Sequence, residues 1–363
     1  MRSKGEEKVK SSFPLREFLI VSILLTILGA VIVTGMLQDQ QLKEETVKKA
    51  QLINGQIEKE LKEISLRESL PEITCWGDGL TTGNHSDGLS YPDVLADLIN
   101  LPVYNMGIDL EDSATIATRQ GGRFIWLKDI VIPSTITPVK VATLKSLITN
   151  ELESIHLLVN GDEGVNPVSI AGIEGTLTLS DENPRTYYFT RLEEGENFEL
   201  EENTPLLTSA SEQRKNDITI IFIGQNGGYD SIDQLIHQQL AMIEHLEHEK
   251  YIVLGLTTGT AKSRATLEER LAEAHGEKFI NLRHYLSSEG LSDANINPTE
   301  EDFADMERGE VPTSLRVGDS IIGNSVYHQL IAKQIFNKIL DLNYLTEEQM
   351  EYLGLVSNPI NED

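Results

Sequence analysis

Apolar and polar positions follow two different periods along most of the chain. Short, uniformly apolar runs that end in glycine or a polar turn predict buried strands. These runs are residues 73–76, 103–105, 218–223, 251–256 and 278–280. Between them apolar residues recur every three or four positions, most clearly in residues 231–248 and 324–340, which predicts amphipathic helices. Strands that alternate with helices predict an α/β fold whose parallel sheet is covered by helices on both faces.

Residues 138–212 interrupt this alternation. Short β-prone runs, among them residues 155–159, are separated there by Gly, Asn, Asp and Pro. They predict a small all-β subdomain inserted into an α/β domain that comprises residues 69–137 and 213–345. The acidic stretch at 292–312 predicts a mobile loop over the sheet. Residues 346–363 are interpreted as a C-terminal tail.

The N-terminal part contains an uncharged apolar run at residues 18–37. About 20 apolar residues are the length of a membrane-spanning helix. The run is longer than the roughly 7–15 residues of a signal peptide core and no A-x-A-like site closes it, so we predict an uncleaved signal anchor. Basic residues precede it: Arg2, Lys4, Lys8, Lys10 and Arg16. They predict a cytoplasmic tail at 1–17, a single pass through the cell membrane and an extracytoplasmic main domain.

A second amphipathic pattern follows directly. Between residues 42 and 64, apolar residues are spaced by three or four positions, and Glu and Lys fill the gaps. We interpret residues 38–68 as a helical stalk that could pair with a second copy of the chain. The alternative is that this helix packs on the domain, and Gly55 argues against a long coiled coil.

Charge restricts the classes of partner. The 363 residues include 58 acidic and 30 basic side chains, which gives a net charge of −28. Such a chain is not expected to bind nucleic acid, because phosphate recognition needs clustered Lys and Arg. Cys75 is the single cysteine, so no internal disulfide is possible, and it is interpreted as a small buried hydrophobic residue.

Four short segments lie where predicted strands end or where the last helix begins. They are Gly-Asp-Gly-Leu at 77–80, Tyr-Asn-Met-Gly at 104–107, Gly-Gln-Asn-Gly-Gly at 224–228 and Asp-Ser-Ile-Ile-Gly-Asn at 319–324. In this order they resemble the conserved blocks of the SGNH (G-D-S-L) hydrolase family. The resemblance covers nearly all of the α/β domain. It implies a flavodoxin-like three-layer α/β/α sandwich, in which ligands bind at the carboxyl ends of the strands.

The resemblance also implies roles for single residues. Gly107 and Asn226 stand where the family has its oxyanion-hole donors, and Asp319 stands where it has the acid of its triad. Gly79 occupies the position of the nucleophilic serine, and Ile322 that of the histidine base. Neither side chain can attack a carbonyl or accept a proton. Removal of either group from such a unit costs on the order of 10⁶ in turnover.

The histidines elsewhere in the chain are poor substitutes for the missing base. His85 could lie near the mouth of the pocket, but it has no hydroxyl to activate. His328 follows Ile322 by almost two helical turns and is predicted at the surface or its boundary. His245 and His248 share a helix face, yet no third ligand has a suggestive spacing, so we predict no metal and no cofactor.

These observations favour a membrane-anchored, catalytically impaired hydrolase-like protein that binds a cell-surface glycan or an acylated ligand. The alternative is an active esterase or O-acyl hydrolase of cell-envelope carbohydrate with a rearranged nucleophile. A third possibility is that Gly79 and Ile322 were introduced or mark a degraded copy. The sequence leaves all three open.

Overall fold

The computed structural model describes residues 15–35, 40–84, 86, 88–141, 145–146, 157–181, 186–200, 203–318 and 320–355, and side chains within them except at 15–16, 28–35, 40–47 and 145–146. The chain divides into two compact units, residues 1–70 and 71–363.

The N-terminal unit contains two helices, α1 (Leu15–Gly35) and α2 (Gln40–Glu68). They pack antiparallel, since Glu17 in the first turn of α1 lies 3.9 Å from Arg67 in the last turn of α2. Apolar side chains of both helices line a groove of about 400 Å³ between them. They include Phe18, Val21, Leu24, Ile57, Leu61 and Ile64. The apolar stripe predicted for the stalk therefore faces α1.

The predicted transmembrane helix at 18–37 is not found. Across the described residues, no helix combines the length and the apolar character that a bilayer crossing requires. This part of the predicted fold is therefore wrong. The extracytoplasmic location and self-association through the stalk stay predictions.

The second unit is built from short strands and helices. The strands are β1 (Ile73–Gly77), β2 (Val103–Gly107), β3 (Ile125–Leu127), β4 (Ile130–Ile132), β5 (Val139–Val141), β6 (Lys145–Ser146), β7 (Val168–Ile170), β8 (Ile173–Leu179), β9 (Tyr187–Arg191), β10 (Phe198–Leu200), β11 (Thr204–Leu207), β12 (Ile218–Phe222), β13 (Tyr251–Leu254) and β14 (Phe279–Ile280). The α-helices are α3 (Gly79–Thr82), α4 (Tyr91–Ile99), α5 (Ser113–Gln120), α6 (Ser209–Gln213), α7 (Ile232–Glu244), α8 (Ala261–His275), α9 (Leu282–Ser288), α10 (Gly290–Asp293), α11 (Glu300–Arg308), α12 (Ser325–Asp341) and α13 (Glu347–Tyr352). Short 3₁₀ turns occupy Gly276–Lys278 and Thr313–Leu315.

Five strands form a parallel sheet in the order β14-β13-β12-β1-β2. Ile73 at the start of β1 is in register with Val103 of β2 and Ile218 of β12. Counted along the chain within this sheet, the order is 2-1-3-4-5, which is the flavodoxin-like doubly wound arrangement. All five strands coincide with predicted apolar runs. The α/β prediction with a parallel sheet is confirmed.

Helices cover both faces of this sheet because neighbouring strand residues point in opposite directions. On one face the ring of Tyr91 in α4 lies 6.3 Å from that of Phe222 in β12, and α4 packs on α12. On the other face Trp76 shares a buried apolar cluster with Ile116 of α5 and Leu235 of α7. The result is a three-layer fold in which the helices leave the carboxyl ends of the strands available for a site.

The intervening region is antiparallel. Seven strands pair in the order β5-β9-β8-β7-β11-β3-β6, and β10 pairs with β4. This sheet has an apolar cluster of its own, which includes Leu177, Phe189 and Leu206. It begins at Ile125, before the predicted boundary at 138. Of the strand predicted at 155–159, residues 155 and 156 lie outside the described residues, and residues 157–159 form turns.

Within the predicted mobile loop at 292–312, residues Glu300–Arg308 form the helix α11, so the loop prediction is wrong for these residues. Thr299 caps it, accepting from the N–H of Asp302 at 3.1 Å, while the Asp302 carboxylate accepts from the N–H of Thr299 at 2.9 Å. This reciprocal capping box satisfies N–H groups that would otherwise be unpaired. Asp302 also accepts from the N–H of Ser314, 2.8 Å away, so it fixes the segment that follows the helix.

Candidate ligand-binding site

The candidate site lies where the strand order of the parallel sheet reverses. β1 pairs with β2 on one side and with β12 on the other. Connections that leave in opposite directions open a crevice at the carboxyl ends of such strands, and ligands bind there in doubly wound folds. The turn that starts at Asp78 follows β1, and the segment with Gln225 and Asn226 follows β12.

Asp78 forms the first wall of this crevice. It caps α3 by accepting from the N–H of Leu80 at 3.0 Å, and its side chain is almost fully buried. Burial raises the pKa of Asp78 to about 6, and the negative charges of Asp109 and Glu111 add to the increase. The hydrogen bond from the Leu80 N–H opposes this increase in pKa. An ionised Asp78 therefore destabilises the fold at neutral pH.

Gly79, at the predicted nucleophile position, faces Asp109. A Cβ placed on Gly79 would lie 2.9 Å from Asp109 Oδ1. The φ of Gly79 lies outside the left-handed region, so the backbone does not demand glycine there. Asp109 accepts from Thr82 Oγ1 at 2.9 Å and from Asn84 Nδ2 at 3.4 Å. A carboxylate thus stands in the space that a serine side chain would occupy.

Gly107, at the predicted oxyanion-donor position, lies at the end of β2 beside α3. Its N–H donates to Asn105 Oδ1 at 3.0 Å, and a Cβ there would lie 2.6 Å from the backbone nitrogen of Thr82. The glycine therefore permits close packing of β2 on α3. Leu110, further along the same turn, lines the crevice and has a left-handed φ of 62°.

Asn226 lines the crevice. Its Nδ2 donates to the carbonyl of Glu111 at 3.2 Å, which joins the segment after β12 to the turn after β2. Ser113 strengthens this join, because its N–H donates to the carbonyl of Gly227 at 3.1 Å. Two adjoining walls of the crevice are thereby held together.

A buried ion pair supports the turn after β2. The side chains of Arg119 and Glu111 are both buried, and Arg119 Nη2 lies 2.5 Å from Glu111 Oε2. Burial raises the pKa of Glu111, and the Arg119 charge opposes this increase. Arg119 also donates to the carbonyls of Met106 at 2.9 Å and Glu163 at 3.1 Å. It therefore connects the parallel sheet with the loop that follows residue 157.

The predicted base position, Ile322, is half-buried and lines the crevice. Its carbonyl accepts from the N–H of Val317 at 2.8 Å, which closes a short loop before α12. Exposed Ile321 lies beside it. The predicted acid, Asp319, lies outside the described residues. The described part of this loop contributes apolar side chains to the site.

Together these walls enclose a cavity of about 300 Å³, here called the apolar cavity. Its described lining residues are Asp78, Gly79, Leu80, Asp109, Leu110, Gln225, Asn226, Ile321 and Ile322. Of the predicted site residues, it thus brings together Gly79, Asn226 and Ile322. Within this described lining there is no Ser, Thr, Cys, Lys or His.

A second space adjoins it through Asp109. This polar cleft measures about 400 Å³ and also contains Gly107. Its other described lining residues are Thr82, Asn84, Asn105, Ile108, Asn160, Gly161, Asp162 and Glu163. Amides and carboxylates dominate this lining, and such groups bind hydroxyl-rich ligands through hydrogen bonds. The loop at 160–163 belongs to the antiparallel region, so that region contributes to the site.

The remaining candidates lie elsewhere. Cys75 is fully buried, and burial raises the pKa of its thiol, which confirms its structural role. His328 is buried rather than at the surface, because α12 packs on α4, and burial lowers its pKa to about 4. His245 and His248 are half-buried, and the described residues contain no cluster suited to a metal ion. His85 lies outside the described residues.

Asp109 and Leu110 were missed by the sequence analysis. Asp109 follows β2 by two residues, which is a position where polar side chains of parallel sheets meet a site. That signal was available. No feature of the sequence predicts the left-handed φ of Leu110, because tertiary packing determines when a non-glycine residue adopts this backbone conformation.

The strand order and the crevice between these turns agree with the flavodoxin-like sandwich that the resemblance to SGNH/GDSL hydrolases implies. No family model and no curated protein matches the chain. Two solved structures are similar to it. One, described as a lipolytic protein of the G-D-S-L family from Desulfitobacterium hafniense DCB-2, has 12% identity and a TM-score of 0.35, over 74% of this chain and 99% of that one. The other, a lipase/acylhydrolase from Enterococcus faecalis, has the same identity and TM-score, over 75% and 97%.

Proposed function

We propose that this protein binds an acylated or glycan ligand at the end of its parallel sheet without hydrolysing it. The observation that carries the proposal is the lining of the apolar cavity. Gly79 and Ile322 stand at the nucleophile and base positions, and the other described residues of the lining include no Ser, Thr, Cys, Lys or His. A serine-type acyl transfer needs both groups within hydrogen-bond reach.

The two adjoining spaces suggest the kind of ligand. Leu80, Leu110 and Ile322 offer apolar surface to an acyl chain. Asn84 and Asn160 in the polar cleft offer amide groups to sugar hydroxyls. A ligand with both parts, such as an O-acylated sugar, would occupy both spaces. This supports a recognition function at the same edge of the sheet where related folds bind substrates.

The test compares binding with turnover in the full chain. We expect 6-O-hexanoyl-glucose to bind more tightly than glucose, measured by calorimetry. Ile322→Trp fills the apolar cavity and should abolish this difference. Ile136→Trp is the matched control, because Ile136 is exposed and lines neither described space. Equal binding of both sugars, or loss of the difference in the control alone, contradicts the proposal.

Turnover is measured with p-nitrophenyl acetate. We expect background rates for the unaltered chain and for Gly79→Ser. The double variant Gly79→Ser with Ile322→His should gain measurable esterase activity, provided that Asp109 swings away from the new side chain. Fluorophosphonate-sensitive turnover by the unaltered chain would overturn the non-hydrolytic proposal.

A second candidate function is O-acyl hydrolysis with Thr82 as a rearranged nucleophile. The observation that favours it is the 2.9 Å distance from Thr82 Oγ1 to Asp109 Oδ1, which is within the reach of a base. The same hydroxyl lies 2.9 Å from the carbonyl of Gly79, the ordinary partner of a helical threonine. Turnover that survives in Thr82→Ser and disappears in Thr82→Val would select this candidate.

A further inference from the structure

Leu110 combines two unfavourable features at the mouth of the apolar cavity. It is the third residue of a tight turn, which the Glu111 N–H closes by donating to the Ile108 carbonyl at 3.2 Å. Its φ of 62° is left-handed, and Gly or Asn is the usual residue at such a turn position. Its side chain is also 77% exposed, although it is large and apolar. Neither the backbone nor the packing of the turn therefore favours leucine here.

The other residues with a left-handed φ differ from Leu110 in side chain or in burial. Among the described residues other than glycine, they are Asn100, Asp129, Leu158, Ala171, Asn295 and Asn343. Asn and Asp tolerate this conformation because their short polar side chains bond locally. Leu158 is half-buried and packs against the apolar core of the antiparallel region. Strain that packing does not explain points to a function of the side chain.

A second exposed apolar residue lies on the same rim. Ile321 is 64% exposed and, like Leu110, lines the apolar cavity. The apolar lining thus extends from a floor at Leu80, which is 7% exposed, through half-buried Ile322 to an exposed rim. Exposed apolar residues that adjoin one cavity are typical of a ligand-binding groove.

We infer that Leu110 and Ile321 determine specificity for the acyl tail, by covering the outer part of a tail whose inner part fills the apolar cavity. This inference rests on the proposed function and specifies its ligand class: esters of medium or long acyl chains rather than acetyl esters. A tail that reaches from Leu80 to the rim removes the exposed surface of both residues from water. Each fully buried methylene strengthens binding roughly fourfold. Gly or Asn at position 110 would relax the turn but would lack this apolar surface.

The experiment lengthens the tail of one ligand. Glucose esters with 6-O-acetyl, 6-O-hexanoyl and 6-O-decanoyl groups are titrated into the full chain by calorimetry, below the critical micelle concentration of the decanoyl ester. We expect the decanoyl ester to bind about tenfold more tightly than the hexanoyl ester, because the rim covers its four extra methylenes on one side only. In Leu110→Asn, and separately in Ile321→Asn, this gain should fall to about threefold or less.

The stability of Leu110→Asn is a second readout. Asparagine adopts a left-handed φ more readily, so the urea midpoint should rise by roughly 0.3 M while the gain from the longer tail falls. A leucine that only supported the fold would give a lower midpoint. Ala171→Asn is the matched control, because Ala171 is exposed, has a φ of 53° and lines neither described space. It should raise the midpoint as well and leave the gain unchanged.

Several outcomes overturn the inference. It fails if the decanoyl ester binds no more tightly than the hexanoyl ester, if Leu110→Asn keeps the gain or lowers the midpoint, or if Ala171→Asn loses the gain equally. A dimer that Leu110→Asn converts into monomers, measured by sedimentation, would assign the rim to a contact between two copies and also overturn it. Failure of the proposed function is distinct, because it is detected by comparing hexanoyl-glucose with glucose. A preference for hexanoyl-glucose without a further gain from the decanoyl ester would remove only the longer tail.

Discussion

Replacement of Asp78 by asparagine should stabilise the protein at neutral pH and not in acid. Asp78 is almost fully buried beside the apolar cavity, and its pKa is raised from 3.8 to about 6. Each pKa unit corresponds to 1.36 kcal/mol, so ionisation costs the folded state about 3 kcal/mol. Asparagine is as good a helix cap as aspartate and cannot ionise. The variant removes the cost and keeps the bond from the Leu80 N–H.

The sign follows from which state binds the proton more tightly. The folded pKa of this acid lies above the unfolded one, so its contribution to stability is fully present below pH 3.8 and is lost as pH rises through 6. The gain from Asp78→Asn should therefore increase with pH. Between pH 4 and 7.5 we expect an increase of about 2 kcal/mol. A fixed cost of the new amide would shift every value equally and leave this increase unchanged.

The assay is urea unfolding of both proteins at several pH values. Asp129→Asn is the control, because Asp129 is exposed and has a left-handed φ of 57° that asparagine adopts readily. Its effect should be flat with pH within about 0.5 kcal/mol. A gain from Asp78→Asn that stays constant or shrinks between pH 4 and 7.5 would refute the reasoning.

Four further variants are tested by urea unfolding. Gly107→Ala should destabilise the fold by about 2 kcal/mol, because its Cβ meets the Thr82 backbone nitrogen. Gly79→Ala should cost less than about 1 kcal/mol, because its Cβ meets only the end of the Asp109 side chain. Equal costs for the two variants would contradict this reasoning. Arg119→Met leaves Glu111 buried without its partner and should cost about 3–5 kcal/mol, and a cost below 1 would contradict it. Burial lowers the pKa of His328 to about 4, so its contribution to the free energy of unfolding is lost as pH falls from 6.5 to 4. His328→Leu should therefore reduce the loss of stability over this pH range by about 3 kcal/mol. An unchanged dependence of stability on pH would exclude this role.

The parallel sheet could be predicted because its strands are buried on both faces and read as continuous apolar runs. The positions of Gly79, Asn226 and Ile322 around one cavity follow from the order of those strands. The position of Asp109 just after β2 could be predicted, but its close approach to Gly79 could not. It depends on how closely the turn after β2 approaches the turn after β1, and that distance is set by tertiary packing.

Local signals were also overlooked or overridden. Thr299 and Asp302 have the spacing of a capping box, so the helix α11 could have been predicted from the sequence despite its acidic composition. His328 is predicted at the surface or its boundary from its distance along the helix from Ile322, whereas packing of α12 on α4 buries it. The apolar run at the N-terminus has the composition of a membrane span, but no described helix meets that requirement.

The antiparallel region and the parallel sheet have separate apolar cores, with Phe189 and Leu206 in one and Trp76 and Ile221 in the other. Separate cores allow each part to open on its own without unfolding the other. Because the rim of the polar cleft at 160–163 belongs to the antiparallel part, transient loosening of that part would widen the entrance while the floor stays intact. Amide hydrogen exchange would then be faster in β8 and β9 than in β1 and β12. Ligand entry would depend on the same local opening of the antiparallel part.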